Sequence, residues 1–352
     1  MTPIRVIVID DSAFMRKMIT DILDSDKRIQ VIATARNGEE GIKKIKLLAP
    51  DVVTLDVEMP IMDGLTALSF IMKEHPIPVV MLSSLTKEGT KNTLQAITTG
   101  AVDFIQKPSG SISLDIATIK QEIVKKVVAA ANVDVTRNQA QIESPDPVAK
   151  SNKQRYSRSM VLVGSSTGGP RALQRVILDL PEDFTAPVLI VQHMPAGFTK
   201  SLAERLNNLS HLHIKEASHG EIVADRTVYI APGGFHMKLR KVGTATAIEL
   251  TQEEERFGHR PSVDVLLESA AEIEKVNKIV VILTGMGSDG SRGIISLKQK
   301  DPEIVVLAES EDSAIIYGMP KAAVKTNAVN HIVHLHQMGN MIHALTDKSG
   351  GM

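Results

Sequence analysis

Two α/β domains in series are the fold class this sequence predicts, and three observations carry that reading. Short β-branched runs alternate with segments of helical period along most of the chain, the pattern of βαβ units built on mostly parallel sheets. The 352 residues exceed what one core usually holds, so a second domain is the natural expectation. From about residue 132 to 157 both patterns stop: Asn, Gln, Asp, Ser and Lys, with Pro145 and Pro147, outnumber apolar residues, as in an inter-domain linker. The domains are therefore expected at 1–122 and 158–347, with a helix end and linker over 123–157.

The first domain opens on the strand Val6-Ile7-Val8-Ile9. Phe14, Met18, Ile19, Ile22 and Leu23 then fall on one helical face, followed by a strand over 29–35. Further strands are expected at Val52-Val53-Thr54-Leu55 and Val79-Val80-Met81-Leu82, with Pro50 and Gly100 marking where helices give way to the next strand. A helix over 112–131 closes the domain. In the second domain apolar runs recur at 160–163, 188–191, 228–230, 279–283 and 304–307, most of them separated by helical stretches. Residues 237–240 and 245–251 flank Gly243 as an antiparallel hairpin. This is a doubly wound α/β domain with a mostly parallel sheet and an added hairpin.

Composition narrows the function classes. Zero cysteines exclude disulfides and thiolate metal sites. The chain enters a strand almost at once with no signal-peptide pattern, and its apolar runs are strand-sized, so a cytoplasmic protein without membrane insertion is expected. A net charge of −1, from 40 basic and 41 acidic residues, lacks the excess that drives nucleic-acid affinity. Aromatic residues make up 3% and tryptophan is absent, which disfavours base-stacking platforms.

Chemistry-bearing residues gather at strand ends. Asp10 and Asp11 follow the first strand and Asp56 follows the third, so their carboxylates are expected to meet at the carboxyl edge of a parallel sheet, where ligands bind. Hard oxygen ligands of this kind suit Mg²⁺, which bridges to phosphoryl oxygens. Ser83 after the fourth apolar run and Lys107 in Gln106-Lys107-Pro108 could hold the oxygens of a phosphorylated Asp56. Singly, each is an ordinary solvated strand end; in this order, each behind an apolar run, they describe a phosphoryl switch. Over about residues 1–122 the chain resembles the receiver domain of two-component response regulators, which implies a flavodoxin-like parallel sheet. It also implies Asp56 as phosphoacceptor, Mg²⁺ held by Asp10, Asp11, Asp56 and the Glu58 backbone carbonyl, and Ser83 and Lys107 as switch residues.

A second constellation lies downstream. Gly164-Ser165-Ser166-Thr167-Gly168 follows the first strand of the second domain and precedes Gly169-Pro170 and a helix, fitting a Gly-x-Ser-x-Gly turn that exposes a nucleophilic serine. From the motif alone, a phosphate-cradling loop or a plain tight turn stays open. His193 after the strand at 188–191 and Asp289 in Thr284-Gly285-Met286-Gly287-Ser288-Asp289-Gly290 occupy equivalent places behind their own strands. A serine needs a base to take its proton, and the imidazole needs a carboxylate to fix its tautomer, roles that Ser166, His193 and Asp289 can fill. Ser165 is the rival nucleophile, but the Gly-x-Ser-x-Gly frame selects Ser166. Of the 11 histidines, His236 and His259 sit near loops that could line the cleft, while His331, His334, His336 and His343 read as ordinary surface and helix-face residues.

Residues 164–169, 192–198 and 283–290 closely resemble the chemotaxis protein-glutamate methylesterase family, and the likeness runs from about 159 to 346. The resemblance implies hydrolysis of glutamate methyl esters on chemoreceptors, with release of methanol, and a second activity deamidating glutamine. It requires no cofactor at the esterase site and places oxyanion donors near Thr167 and Met286. It further implies a chemotaxis histidine kinase as phosphodonor and a receiver that covers the esterase cleft until Asp56 is phosphorylated. Ser165 departs from the family, where many relatives carry alanine, and its extra hydroxyl is expected to compete for hydrogen bonds. The stretch from Asn330 to Gln337 is also less familiar. Two other classes remain to be separated by experiment: a non-enzymatic adaptor, indifferent to Ser166→Ala, and a salt-sensitive DNA-binding regulator, which the charge balance disfavours.

Overall fold

A computed structural model describes residues 2–107, 116–135, 156 and 158–347. The chain divides into two compact units, 1–138 and 139–352. The expected start of the closing helix at 112–115, Pro108 and most of the expected linker lie outside the described residues.

The first unit alternates strictly: β1 (Ile4–Ile9), α1 (Ala13–Asp24), β2 (Ile29–Ala35), α2 (Gly38–Leu48), β3 (Val52–Asp56), α3 (Gly64–Glu74), β4 (Val79–Ser83), α4 (Lys87–Thr99), β5 (Asp103–Gln106) and α5 (Ile116–Ala130). The five strands order as β2-β1-β3-β4-β5, every pairing parallel. β1, β3 and β4 are the inner strands, and the last four residues of β1 and all of β3 and β4 are buried, as continuous apolar runs covered on both faces must be. In α1, Ile19, Ile22 and Leu23 are buried as their spacing predicts, whereas Phe14 on the same face is 57% exposed. Phe14 lies in the first turn of α1, past the edge of the core.

The second unit contains β6 (Ser159–Ser165), α6 (Gly169–Leu178), β7 (Val188–Gln192), α7 (Phe198–Leu209), β8 (His213–Glu216), β9 (Thr227–Ile230), β10 (His236–Val242) and β11 (Ala245–Thr251). It continues with α8 (Val263–Ala270), β12 (Asn277–Ile282), α9 (Ser291–Lys300), β13 (Val305–Glu309), α10 (Met319–Val324), β14 (His331–Val333) and α11 (Leu335–Thr346). Seven strands order as β14-β13-β12-β6-β7-β9-β8, all parallel. The hairpin β10–β11 forms a sheet of its own, with Val242 paired to Ala245 across a two-residue turn at Gly243. One core of buried residues runs beneath it, from Met160 and Leu162 of β6 through Met237 and Ile248 of the hairpin to Leu266 of α8 and Val280 of β12.

This topology reverses direction beside β6: the chain runs out from β6 through β7 towards β8, then returns to β12 on the other side. That switch point lies at the carboxyl ends of β6, β7 and β12, the place where open α/β sheets bind ligands. The loops after those three strands carry Ser166, His193 and Asp289.

Candidate functional site

At the carboxyl edge of the first sheet, Asp10 and Asp56 are buried and Asp11 is exposed. The Lys107 ammonium bridges the first two, 2.8 Å from Asp10 Oδ2 and 2.7 Å from Asp56 Oδ2. Asp10 Oδ1 accepts the Ser12 N–H at 2.9 Å, and the Glu58 N–H reaches Asp56 Oδ1 at 3.4 Å, which sets the Glu58 backbone beside the carboxylate. Burial pushes the Asp56 carboxyl up to about 6, and the neighbouring Asp10 charge adds to that, outweighing the bond from Lys107. Burial works against the Lys107 charge, but its bonds to Asp10 and Asp56 prevail and raise its pKa. Asp10, Asp11 and Asp56 each offer a carboxylate oxygen, all within 4.8 Å of one another. An oxygen-only cluster with two buried members and one open to solvent fits a hydrated Mg²⁺.

Among the described residues, the hydrogen bonds of Ser83 go to partners other than Asp56. Its buried hydroxyl donates to the carbonyls of Ser84 at 3.2 Å and Gly89 at 3.3 Å, and accepts from the Thr93 hydroxyl. The hydroxyl is thus engaged by Gly89 and Thr93 of α4.

In the second unit the Gly-x-Ser-x-Gly turn takes the expected form. Gly168 has φ +77°, a left-handed conformation, and Pro170 stands in the first turn of α6. A Cβ at Gly169 would lie 1.9 Å from Gln192 Oε1, so any larger residue there would displace the Gln192 amide. Gln192 explains Ser165: the Ser165 hydroxyl donates to Gln192 Oε1 at 2.7 Å, while Gln192 Nε2 donates to the carbonyls of Ser166 at 2.9 Å and His193 at 3.1 Å. The Ser165 hydroxyl, expected to compete within the site, instead buttresses the side chain that ties the Ser166 and His193 backbones together.

His193 and Asp289 meet. His193 Nε2 lies 2.8 Å from Asp289 Oδ2, and both side chains are buried. Asp289 Oδ1 also accepts the Ser262 hydroxyl at 2.9 Å and the Asp264 N–H at 3.0 Å, and Oδ2 the Val263 N–H at 2.7 Å. Burial alone would raise the Asp289 carboxyl, but the hydrogen bond from His193 and the N–H groups at the start of α8 hold it down at about 2. An ionised Asp289 can only accept, so the proton sits on His193 Nε2 and Nδ1 is the basic nitrogen. Nδ1 is buried and makes no hydrogen bond. The ring is further held by His259, stacked on it at a centroid distance of 3.9 Å and an interplanar angle of 8°.

Ser166 starts the loop next to that of His193, since β6 pairs with β7 and the His193 N–H donates to the Ser165 carbonyl at 3.0 Å. Its hydroxyl is not bonded to His193 Nδ1, an arrangement common before substrate binds. The Ser166 N–H donates to the Thr284 carbonyl and the Thr284 hydroxyl donates to the Thr167 carbonyl, each at 3.0 Å. The Gly285 N–H is taken by the Ile316 carbonyl at 3.0 Å, and the Gly285 carbonyl accepts the Met319 N–H at 2.7 Å, which fixes the backbone on one side of Met286. His236, by contrast, opens β10 and is buried, with Nε2 3.0 Å from the Glu254 carbonyl.

Several contributors went unseen in the sequence. Ser262 and Asp264 open α8, and Asp264 Oδ1 in turn accepts the Gly290 N–H at 2.9 Å and the Gly293 N–H at 2.7 Å, so each carboxylate caps the other's helix. The Ser-x-Asp ahead of an apolar helix was the available signal. Glu309 closes β13 two residues past the apolar run at 304–307, an acid behind an apolar strand just as Asp56 is.

A family model for CheB methylesterase matches residues 161–342, and one for the response regulator receiver domain matches 6–146. The chain is 55% identical to a protein-glutamate methylesterase/protein-glutamine glutaminase of Oceanobacillus iheyensis, over 97% of this chain and 99% of that protein. It is 47% identical to the protein of the same name from Bacillus subtilis, over 98% and 99%. Among solved structures, the CheB methylesterase catalytic domain of Thermotoga maritima aligns with a TM-score of 0.51 and 42% identity, covering 53% of this chain and 97% of that one. A parallel-sheet receiver followed by a seven-stranded hydrolase domain, matched over nearly its whole length, belongs to the CheB methylesterase family.

Proposed function

We propose that this chain is a phosphorylation-activated hydrolase that removes methyl groups from glutamate γ-esters on chemoreceptors and deamidates receptor glutamines. Its curated relatives carry both activities in their names, protein-glutamate methylesterase and protein-glutamine glutaminase. The observation that carries the mechanism is the buried His193–Asp289 pair, which leaves Nδ1 as an unengaged base beside the loop of Ser166.

Ser166 Oγ attacks the ester carbonyl carbon as His193 Nδ1 takes its proton. The Met286 and Thr167 N–H groups are the candidate donors to the developing oxyanion. His193 then returns the proton to the leaving methoxide, and methanol departs. Water, deprotonated by the same nitrogen, frees the carboxylate and restores Ser166. Asp289 orients the ring and stabilises its charged form. An amide passes through a similar tetrahedral species, with ammonia leaving in place of methanol.

In the receiver, Asp56 is the phosphoacceptor and a chemotaxis histidine kinase the natural donor. Asp10, Asp11, Asp56 and the Glu58 carbonyl would hold Mg²⁺, which when bound offsets the charge gathered on the phosphoryl oxygens. Lys107, already on Asp56, is placed to follow that charge, and Ser83 to turn toward it. The domain division that goes with this reading is a receiver at 1–122, a helix end and linker at 123–157, and a catalytic domain at 158–347.

Methanol release from methylated chemoreceptor membranes, with and without a small-molecule phosphodonor and Mg²⁺, tests both halves. The reading expects basal release that rises with phosphodonor and falls back when the metal is chelated. No release under any condition, from folded protein, overturns the hydrolase assignment and favours an adaptor.

A further inference from the structure

We propose that Glu309 is a positioning residue of the hydrolytic site, holding Thr284 and through it the backbone that carries Ser166, Thr167 and Met286. The inference rests on the hydrolase reading above and goes beyond it.

Glu309 ends β13 with none of its surface exposed. Its Oε2 accepts the Thr284 N–H at 2.7 Å, and its Oε1 accepts the Ser313 hydroxyl at 3.1 Å. Thr284 is the hub of the nucleophile loop: its carbonyl accepts the Ser166 N–H at 3.0 Å, and its hydroxyl donates to the Thr167 carbonyl at 3.0 Å while accepting the Ile316 N–H at 2.9 Å. Every polar atom of Thr284 is therefore committed, and among its described partners Glu309 is the charged one. Met286 lies two residues on, clamped by the Gly285 carbonyl to the Met319 N–H at 2.7 Å.

A carboxylate here is a costly choice unless its charge does something. Burial pushes Glu309 up to about 7, opposed only by the bonds from Thr284 and Ser313. Among the described residues no cation offsets it. On the elements around β13, Lys278 of β12 is paired with Asp301, Lys321 belongs to α10 with Lys325 just after it, and His331 belongs to β14. Glu311 and Asp312 follow in the next loop, and none of these groups shifts Glu309. Ser313 lets the site hold either protonation state. When Glu309 is ionised both oxygens accept. When it is neutral, Oε1 can donate to the Ser313 hydroxyl, which turns its own proton to Ser310, 3.3 Å away. The Thr284 bond survives in both states, but a carboxylate is roughly twice as strong an acceptor as a neutral carbonyl. The ionised form thus holds the nucleophile loop more firmly.

Glu309→Gln copies the neutral state, with its amide oxygen on Thr284 and its NH₂ on Ser313. We compare kcat and KM of the full-length wild type and Glu309→Gln for methyl-ester hydrolysis from pH 5.5 to 8.5, adding Glu309→Leu where it folds. Taking the two proteins as a ratio at each pH divides out whatever pH dependence they share. The expected result is a wild-type to Gln ratio in kcat near one at pH 5.5 that climbs to about three- to tenfold above pH 8, with KM unchanged. Glu309→Leu, lacking any acceptor for Thr284, is expected to lose tenfold or more at every pH. A Gln ratio that does not change with pH overturns the proposal. An inactive wild type would instead count against the hydrolase reading, so the two failures are distinguishable.

Discussion

The two units each bury an aspartate at the carboxyl edge of a parallel sheet, and the two carboxyls are driven in opposite directions. Asp56 is pushed up to about 6 and Asp289 held down at about 2, although both are almost inaccessible. The difference lies in their partners. Asp289 receives the Ser262 hydroxyl, the Val263 and Asp264 N–H groups and His193, at the positive end of α8. Asp56 shares one ammonium with a second buried carboxylate and gains only a long bond from Glu58. A carboxylate whose oxygens are fully engaged is suited to orient a base and to remain unchanged through turnover. One left short of positive charge is suited to accept a cation and a phosphoryl group, each of which relieves it.

Breaking the engaged carboxylate has the largest expected effect. Asp289→Asn keeps the size but presents an NH₂ to the N–H groups of α8 and removes the charge that fixes the His193 tautomer. Methyl-ester hydrolysis should fall by about 10⁴-fold. Asp289 is also a stability group. Its folded pKa lies below the unfolded value of 3.8, so its contribution is present above about pH 4 and is lost as pH falls through about 2. On the order of 2 kcal/mol should therefore disappear in the variant at pH 7, read as a lowered denaturant midpoint of the second unfolding transition. An unchanged midpoint would mean that the bonds to α8 contribute little.

Asp56→Asn sharpens the contrast because its stability effect has the opposite sign. The folded pKa of Asp56 is raised above 3.8, so the folded state binds that proton more tightly and loses stability as pH climbs through about 6. Removing the charge should stabilise the receiver by about 1–3 kcal/mol at pH 7 in the absence of Mg²⁺. The gain should shrink to nothing below about pH 4, where the wild-type carboxyl is protonated in both states. Basal hydrolysis should persist and phosphodonor stimulation vanish. Equal stimulation of variant and wild type would remove Asp56 from the switch.

Strand ends were the legible part of this sequence, and for a definite reason. Continuous runs such as Val52-Val53-Thr54-Leu55 and Val79-Val80-Met81-Leu82 are inner strands buried on both faces, so hydrophobicity alone locates them, and the polar residue that follows must lie at the sheet edge. β8 and β14 escaped because they are edge strands: His213-Ile214-Lys215-Glu216 buries only Ile214, and His331-Ile332-Val333 buries only Val333. The unfamiliar stretch 330–337 proves to be that short edge strand running into α11. What periodicity could not supply were contacts between distant segments. Ser262 and Asp264 reach Asp289 across some 25 residues of chain, and Glu309 reaches Thr284 across a similar gap. Rotamers were equally hidden: nothing in Val79-Val80-Met81-Leu82-Ser83 says that the Ser83 hydroxyl turns to Gly89.

The smallest expected effect belongs to Ser165→Ala, and it decides between adjacent serines. Ser165 is completely buried and its hydroxyl is spent on Gln192 Oε1, so it cannot serve as the nucleophile without breaking that bond. The substitution removes one of the bonds on the Gln192 amide and leaves the donors to Ser166 and His193 in place, with the methyl of alanine filling the space of Cβ. Stability should drop by about 1 kcal/mol, the usual net value of a neutral hydrogen bond, which lowers the melting temperature of a domain this size by about 2–4 °C. Hydrolysis should fall less than tenfold, with kcat affected through a looser Gln192. Ser166→Ala, by contrast, should leave only the residual catalysis of the oxyanion donors. If the two substitutions were to cost activity equally, Gln192 could not be holding the loop independently of Ser165. The buttress and the nucleophile would then have to be regarded as one unit.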